Sequence, residues 1–543
     1  MTREIAADPG LGRLADAVLI PPFAGSAAPD WIRAAIAGGL GGVTLFGPNV
    51  HDREQLGRLT ASLLSAGPEP VIAIDEEGGD VTRISHRTGS DYPGNAALGA
   101  VDDVALTRSV YAAMGADLAA LGINLDLAPS VDVNTAADNP VIGTRAFGAD
   151  PALVARHGAA AVAGLQSAGV AACAKHFPGH GSTTLDSHLV MATVDAPLSV
   201  LRERDLPPFE AAIAAGVRAI MPSHLRVPEL TGELPASLSR RALTGLLRGE
   251  LGFTGVIVSD GLEMRAVSEP YGIPEAAVQA VMAGTDLLCL GRDQDQESFL
   301  AVRAALVAAV QEGRLSAARL EDAAARVAEL RGWMAGARAA AGGGLAVAEG
   351  AAHPAIADGA VAAGGASAVR RTSAARRTSA ARGATGTAAS RAATDDAIGL
   401  AAARRAVAVR GSLPALHQPL VVTLVPPSNL AVGSVPWGLA AFVPPGSSRE
   451  ISTATAASDL PGVVSAVLTA ATGRSLIAVV RDAHRHPVAS RAVQLLLAER
   501  PDAVVVEMGL PVWQPDAGTY VASYGAARSN SRAAAEVLGL TAQ

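Results

Sequence analysis

Short apolar runs that alternate with helix-compatible segments are the feature that most constrains the fold of this chain. Continuous apolar strands separated by helices are typical of a parallel sheet that is covered on both faces. Eight such units in roughly 250 to 300 residues match the size of a closed (β/α)8 barrel. An open, doubly wound sheet is the alternative, although no Gly-x-Gly-x-x-Gly turn follows the first run, as a dinucleotide-binding version would require. The predicted strands are 17–22, 42–46, 70–75, 122–127, 169–175, 217–222, 255–259 and 285–290.

The length of 543 residues predicts at least two domains. We predict a barrel over residues 1–337 and a second, smaller α/β domain with a mainly parallel sheet over 397–543. Between them, 338–396 is rich in Ala, Gly and Arg and repeats Arg-Arg-Thr-Ser-Ala-Ala, which predicts a disordered linker. Strand-like runs of the second domain are 419–425, 475–480 and 503–508, and we interpret 481–487 (RDAHRHP) as a solvated polar loop.

Composition excludes several classes of protein. A formal net charge of −8 argues against a general nucleic-acid binder. The two cysteines, Cys173 and Cys289, both lie in apolar runs, which favours buried thiols in a reducing compartment over a disulfide framework. The first residues do not resemble a signal peptide, and no run of about twenty apolar residues predicts a membrane span. We therefore expect a cytoplasmic protein, and the sequence makes no prediction of its oligomeric state.

Polar residues follow four of the predicted strands. In barrel enzymes the carboxyl ends of the strands form the active face, so these side chains are expected to converge. They are Asp75, Glu76 and Glu77 after the third strand, Lys175 and His176 at the fifth, His224 after the sixth and Asp260 after the seventh.

Of the 43 lysine and arginine residues, Lys175 is the only lysine. Lysine carries a compact ammonium, whereas arginine carries a wide planar guanidinium, and a site that needs the first cannot always accept the second. The single lysine therefore marks position 175 as a candidate functional residue.

Residues 175–188 (KHFPGHGSTTLDSH) form a loop by their Pro and Gly content and contain three histidines. Three interpretations remain open. His176, His180 and His188 could ligate a metal ion, although a helical His-Glu-x-x-His pattern is absent. They could also be satisfied by local hydrogen bonds. Finally, Asp186 could pair with His188, favouring the protonated imidazole and allowing general acid and base catalysis.

Asp260 leaves a buried strand in the segment VSDGLEM. With Glu263 three residues later it has the spacing of a helix capping box, so capping explains it as well as catalysis does. Opposite a proton donor, the same carboxylate could attack an anomeric carbon. In IDEEGG (74–79), the glycine pair permits a tight turn. Charged groups there, with Arg83 nearby, suit sugar hydroxyls. Asp75 could also ligate a metal, but nothing nearby completes an oxygen-rich cage, which disfavours that option.

Taken together, these segments resemble glycoside hydrolase family 3, and within it the β-N-acetylglucosaminidase branch. The resemblance covers most of residues 1–335, in family order, and its KHFPGHG…DSH segment is highly specific. The segments are IDEEGG (74–79), NPVIGTRAFG (139–148), KHFPGHG with DSH (175–188), MPSH (221–224) and VSDGLEM (258–264).

This resemblance implies a TIM-type barrel and a retaining exo-β-N-acetylglucosaminidase that needs no metal ion or organic cofactor. Asp260 would be the nucleophile and His188, paired with Asp186, the acid/base, with double displacement through a glycosyl-enzyme. The expected substrates are small carbohydrates from muropeptides or chitin, with a role in peptidoglycan turnover. No catalytic residue is expected from the second domain, which some family members carry. The positions that would bind the sugar hydroxyls are Asp75, Arg83, Arg145, Lys175 and His176.

Three other functions stay open at this point. A neutral histidine repels an incoming anion less than a carboxylate does, so phosphate could replace water and the enzyme would be a β-N-acetylglucosaminide phosphorylase. A metal-dependent hydrolase on the same barrel would use the loop histidines. A non-catalytic sugar-binding protein is disfavoured because a nucleophile and an Asp–His pair are both present.

Overall fold

The computed structural model describes residues 9–186, 190–340, 398–427 and 432–540. Predicted linker residues 338–396 lie outside this part of the chain, except for the last three residues of a long helix. His188 lies outside it as well.

Ten short strands occur in the first domain, and eight of them build a parallel barrel. Each predicted run overlaps one barrel strand, while β6 and β8 form a separate parallel pair that the sequence did not predict. The strands are β1 (Leu19–Ile20), β2 (Gly42–Leu45), β3 (Val71–Ile74), β4 (Leu125–Asp126), β5 (Ala171–Phe177), β6 (Ala192–Thr193), β7 (Ala219–Pro222), β8 (Leu225–Arg226), β9 (Val256–Ile257) and β10 (Leu288–Cys289).

The barrel is closed by the pairing of its first and last strands. Strands β2, β3, β4, β5, β7 and β9 form one parallel sheet, and β1 pairs with β10 in parallel. The Thr44 amide donates to the Pro21 carbonyl at 3.3 Å, joining β1 to β2, and the Ser259 amide donates to the Leu287 carbonyl at 2.8 Å, joining β9 to β10. These bonds leave no open edge, which confirms the predicted (β/α)8 barrel over an open sheet.

Helices surround the barrel, and several begin at an aspartate. Asp52 accepts a hydrogen bond from the Gln55 amide and Asp103 from that of Leu106, so each caps the first turn of its helix. The helices are α1 (Pro9–Ala17), α2 (Asp30–Gly38), α3 (Arg53–Ser65), α4 (Asn95–Val101), α5 (Val104–Ala120), α6 (Pro151–Ser167), α7 (Leu198–Arg204), α8 (Pro207–Ala214), α9 (Pro228–Thr231), α10 (Arg265–Tyr271), α11 (Ile273–Ala283), α12 (Gln296–Gln311) and α13 (Ala317–Ala340), with a π-helical segment Arg241–Glu250.

The inside of the barrel is a packed apolar core, not a channel. Val327, Leu330 and Met334 of α13 pack against the buried residues of this core, so α13 covers one end of the barrel. Cys173 and Cys289 belong to the same cluster and carry free thiols. The apolar end of the barrel thus leaves its opposite, polar end for a binding site.

The second domain is a six-stranded sheet with helices on both faces, as its two separate apolar clusters indicate. The strand order is β11-β16-β15-β14-β12-β13, and only β11 runs antiparallel to its neighbour. This confirms the mainly parallel α/β domain. The strands are β11 (Ala408–Arg410), β12 (Leu420–Val425), β13 (Ser448–Ser452), β14 (Leu476–Val480), β15 (Val504–Glu507) and β16 (Thr519–Ala522); the helices are α14 (398–406), α15 (Thr453–Ala456), α16 (Leu460–Ala470), α17 (Pro487–Glu499) and α18 (Arg528–Val537).

The carboxyl ends of the second sheet face the carboxyl ends of the barrel strands. Arg481, directly after β14, forms an ion pair with Asp80, which lies beyond β3. His484 donates through Nε2 to the Ala137 carbonyl at 2.7 Å. The interpretation of 481–487 as a solvated loop is therefore wrong, because Arg481 and His484 have partners on the barrel.

The described residues contain no helix that is both long and apolar enough to cross a lipid bilayer.

Candidate active site

A cavity of about 430 Å³ opens at the carboxyl ends of the barrel strands. Six of the predicted site residues line it, on four different strand ends. Asp186 is described but does not line the cavity, and His188 lies outside the described residues. The residues brought together are Asp75, Arg83, Arg145, Lys175, His176 and Asp260.

Lys175 lies at the centre of the charged groups. Its ammonium nitrogen is 2.8 Å from Asp75 Oδ1 and 2.8 Å from Glu77 Oε1, and its side chain is 2% exposed. Burial disfavours the charged amine, but the two carboxylates outweigh it and raise the pKa of Lys175 above its usual range. Lys175 therefore stays protonated and cross-links the ends of β3 and its neighbouring loop to β5.

Glu77 is the second centre of this cluster. Arg145 donates two hydrogen bonds to its carboxylate, from Nε to Oε2 at 2.9 Å and from Nη2 to Oε1 at 2.7 Å. Burial opposes ionisation, yet Arg145 and Lys175 hold the pKa of Glu77 well below its usual range. Glu77 was predicted at a strand end, without a role of its own. The motif IDEEGG, in which it lies, was the available signal.

Asp75 presents a carboxylate to the cavity. Its Oδ1 accepts from Lys175, and its Oδ2 is 3.6 Å from Arg83 Nη2. Burial would raise the pKa of Asp75, but Lys175 and Arg83 bring it below the usual value, so the group is ionised at neutral pH. An ionised carboxylate that is only partly covered can accept hydrogen bonds from hydroxyl groups of a ligand.

His176 is oriented by Asp132, a residue that the sequence analysis missed. Asp132 Oδ2 lies 2.7 Å from His176 Nδ1, and the backbone amides of His176 and His180 donate to Oδ1. Burial opposes the charge of Asp132, but His176 lowers its pKa below the usual range. Asp132 thereby fixes the orientation of the ring, whose Nε2 lies 3.4 Å from Arg145 Nη2. The available signal was the segment VDVN, which follows β4.

Asp260 follows β9 and does not cap a helix. Helix α10 begins at Arg265, and no side chain caps it at Met264. Glu263 accepts through Oε1 from the Arg292 amide at 2.7 Å, far from a capping-box geometry. The capping interpretation of Asp260 is therefore wrong; its Oδ1 instead accepts from the Gly261 amide at 2.8 Å.

The turn that carries Asp260 is anchored by His224, which is fully buried. His224 Nε2 donates to the Gly261 carbonyl at 3.0 Å, because a carbonyl can only accept. Its Nδ1 lies 2.6 Å from the Ser237 hydroxyl oxygen. His224 thus positions the residue after Asp260 from behind and does not line the cavity.

The turn after β3 brings Arg83 back to the cavity. Glu76 Oε2 accepts from the Thr82 hydroxyl and from the amides of Arg83 and Ile84. Burial raises the pKa of Glu76 to about 7. Gly79 has a φ of +60°, and a Cβ there would lie 2.4 Å from the Gly94 Cα, so this turn requires glycine.

His180 and Asp186 belong to the loop that follows β5. Burial lowers the pKa of His180 to about 4, and its Nδ1 lies 2.8 Å from the Thr183 hydroxyl. Asp186 is half-buried, and its carbonyl accepts from the Val190 amide. Among the described residues, no three His, Cys, Asp or Glu side chains are grouped as metal ligands. The pairing of Asp186 with His188 stays a prediction.

The second domain also reaches the cavity. The segment 432–435, which follows β12, lines its rim together with barrel residues. This contact could not be predicted, because the order of residues along the chain does not specify how two domains dock.

Known proteins resemble both parts of the chain. Residues 29–330 match the family described as "Glycosyl hydrolase family 3 N terminal domain". Beta-hexosaminidase A of Pseudoalteromonas piscicida is 36% identical over 318 residues, which are 54% of this chain and 53% of that protein. Beta-hexosaminidase of Stenotrophomonas maltophilia (strain K279a) is 40% identical over 268 residues, covering 48% of this chain and 77% of that protein. The chain thus matches about half the length of the first of these relatives.

A solved structure matches almost the whole chain. It is a glycoside hydrolase family 3 beta-N-acetylglucosaminidase from Paenibacillus sp. str. FPU-7, with a TM-score of 0.79 and 31% identity, covering 98% of this chain and 97% of that one. The likeness therefore includes the second domain and its place beside the barrel.

Proposed function

The chain belongs to glycosyl hydrolase family 3, and on this basis we propose that it is a retaining exo-β-N-acetylglucosaminidase. The observation that carries the proposal is the convergence of Asp260 with the ionised cluster of Asp75, Glu77, Lys175 and Arg145 in one cavity. Relatives named beta-hexosaminidase and a solved beta-N-acetylglucosaminidase support the choice of sugar.

In the proposed reaction, Asp260 attacks the anomeric carbon of the terminal sugar. The bond to the leaving oxygen breaks as His188, paired with Asp186, gives that oxygen a proton. A glycosyl ester with Asp260 results. His188 then takes a proton from water, whose oxygen attacks the anomeric carbon and releases Asp260 as a carboxylate. Two inversions give a product with the β configuration of the substrate.

The charged cluster would hold the sugar during both steps. Asp75 accepts hydrogen bonds from sugar hydroxyls, while Lys175, Arg145 and Arg83 donate them. The ring of His176, held by Asp132, adds a further polar group to the cavity. Lys175 and Arg145 are already fixed by Glu77, so little side-chain freedom is lost when the sugar binds.

We propose muropeptide- or chitin-derived oligosaccharides as substrates, and a part in peptidoglycan turnover. Both fit an enzyme that removes one terminal sugar at a time. A cytoplasmic location is proposed from the free, buried thiols of Cys173 and Cys289.

The test is turnover of a chromogenic β-N-acetylglucosaminide by the wild type, with and without inorganic phosphate. Asp260→Ala should lower kcat on the order of 10³-fold or more, because the covalent intermediate cannot form. Glu269→Ala removes an exposed carboxylate from helix α10 nearby and serves as the control, with turnover close to wild type. NMR of the first-formed product should show the β anomer.

Each outcome bears on a different part of the proposal. A wild type that cleaves a β-glucoside but not the N-acetylglucosaminide contradicts the choice of sugar. Ordinary turnover by Asp260→Ala removes Asp260 as nucleophile. Formation of a sugar 1-phosphate when phosphate is added identifies a phosphorylase. Complete inactivation by a chelator, reversed by metal, identifies a metal-dependent hydrolase.

A further inference from the structure

A buried carboxylate, Asp80, joins the two domains close in sequence to Glu77 of the charged cluster. It lies three residues after Glu77, and its side chain is 2% exposed. Its Oδ1 accepts from the Ala526 amide at 3.0 Å, and its Oδ2 lies 2.9 Å from Arg481 Nη2. Both donors follow strands of the second domain, β16 and β14. Asp80 thus forms an ion pair and accepts a backbone hydrogen bond from the second domain.

The same carboxylate also holds the barrel loop that carries Arg145. The Thr144 hydroxyl donates to Asp80 Oδ2 at 2.6 Å, and Thr144 directly precedes Arg145 in the 3₁₀ turn Gly143–Arg145. From the other side, the Asn95 amide group donates to the Arg145 carbonyl at 2.7 Å. Asp80 therefore ties the loop of Arg145 to the turn of Glu77, the two partners of the bidentate ion pair.

Charge balance at Asp80 depends on the second domain. Among the described residues, Arg481 is the only cation that forms an ion pair with Asp80. A buried carboxylate that loses its cation is strongly disfavoured where it lies. A shift of Asp80 toward water would weaken its bond to Thr144. The loop of Arg145 would then lose its side-chain bond to the turn of Glu77.

We propose that Arg481 of the second domain is a positioning residue of the active site, acting through Asp80 and Thr144 to hold Arg145 on Glu77. The second domain is then part of the binding machinery and not an appendage. The effect on kinetics rests on the proposed glycosidase function, whereas the effect on the loop of Arg145 does not.

The test uses the full chain with Arg481→Met, Arg481→Lys and Thr144→Val. Arg405→Met is the matched control, since Arg405 also crosses the domain interface, to Asp103 at 2.8 Å, but far from the cavity. Arg481→Met should raise KM for the β-N-acetylglucosaminide about tenfold, with a smaller change in kcat, because Arg145 binds the sugar in ground and transition states alike. Arg481→Lys should recover most of this loss and Arg405→Met should show none.

A double variant separates positioning from general loosening of the fold. Arg481→Met combined with Thr144→Val should lose no more than the worse single variant, because both interrupt one chain of contacts. Additive losses contradict the proposal, as does an Arg481→Met enzyme that behaves like Arg405→Met. If Arg481→Met does not fold, KM can still be measured with Thr144→Val and Arg481→Lys. Thr144 lies within the barrel, and the lysine substitution keeps the positive charge.

Hydrogen exchange provides a readout that does not need turnover. Amides of 141–147 should exchange faster in Arg481→Met than in wild type, and at the wild-type rate in Arg405→Met. Unchanged exchange overturns the inference even if activity falls. A wild type without activity on the glycoside, but with the expected exchange pattern, refutes the proposed function and leaves the positioning role standing.

Discussion

Replacing Lys175 by methionine should make the stability of the barrel depend on pH in a way that the wild type does not. The substitution keeps much of the side-chain volume but removes the ammonium that lies 2.8 Å from both Asp75 and Glu77. Glu77 keeps its two bonds to Arg145, whereas Asp75 keeps only Arg83, at 3.6 Å. Asp75 is therefore the group left without adequate charge compensation.

The size of the effect follows from the buried ion pair. Removing one partner of a fully buried pair costs about 3–5 kcal/mol, and a smaller loss is expected here because the Asp75 side chain is 18% exposed. In the wild type the pKa of Asp75 is below its usual value, so its contribution is lost only in strong acid. In Lys175→Met, Arg83 alone does not offset the effect of burial, so the pKa of Asp75 rises above its usual value. The folded variant then binds a proton that the unfolded chain does not, and stability falls as pH rises.

The assay is urea unfolding at about pH 5, 6 and 7, with kcat/KM measured in parallel. The free energy of unfolding lost in Lys175→Met should be smaller by about 1–2 kcal/mol at about pH 5 than at about pH 7, since each titrated proton contributes about 1.4 kcal/mol per pH unit. The activity should fall by about 100-fold or more. A destabilisation that is the same at all three pH values would refute the assignment of Asp75 as the uncompensated group.

A matched control removes a cation from the opposite end of the barrel. Arg248 forms an ion pair with Asp286, which is fully buried and also pairs with Arg319. Arg248→Met should therefore destabilise the barrel while kcat/KM stays close to wild type. Equal losses of activity in the two variants would show that Lys175 acts only through stability.

Three further outcomes are expected. Lys175→Arg keeps the charge but overfills a fully buried position, so it should destabilise by about 1–3 kcal/mol and lower kcat/KM, and wild-type kinetics would show that a compact ammonium is not required. Asp132→Asn, which removes the ionised acceptor at His176 Nδ1, should raise KM on the order of tenfold, and an unchanged KM would separate the ring's orientation from binding. His188→Ala should slow natural disaccharides far more than aryl glycosides with good leaving groups, and equal losses on both would contradict a proton donor.

The barrel strands were predictable because each is buried on both sides and so reads as an apolar run. The edge strands β11 and β13 were not, since their residues are exposed or half-exposed and leave no such run in the sequence. Strand β16 has the sequence TYVA, in which Thr519 and Tyr520 carry hydroxyl groups, so it does not read as a continuous apolar run. Burial, more than intrinsic propensity, determined which strands the sequence revealed.

The site shows a similar division. Asp75, Lys175 and Asp260 could be placed on one face because barrel topology gathers strand ends. It could not be predicted that Glu77, and not its neighbour Glu76, pairs with Arg145. Adjacent side chains point in opposite directions, and only the fold shows which of them contacts Arg145. Asp80 and Ala526 are 446 positions apart, and no pattern along the chain encodes that contact.

Because the chain has a single lysine, a reagent that modifies ε-amines has only one side chain to react with. Reagents that acylate amines attack only the uncharged form, and here the chain's only ε-amine is buried and held protonated by two carboxylates. In the folded protein it should resist such reagents, whereas each excursion that opens the end of the barrel exposes it. The mass added at Lys175 over time would then record how often the active site opens.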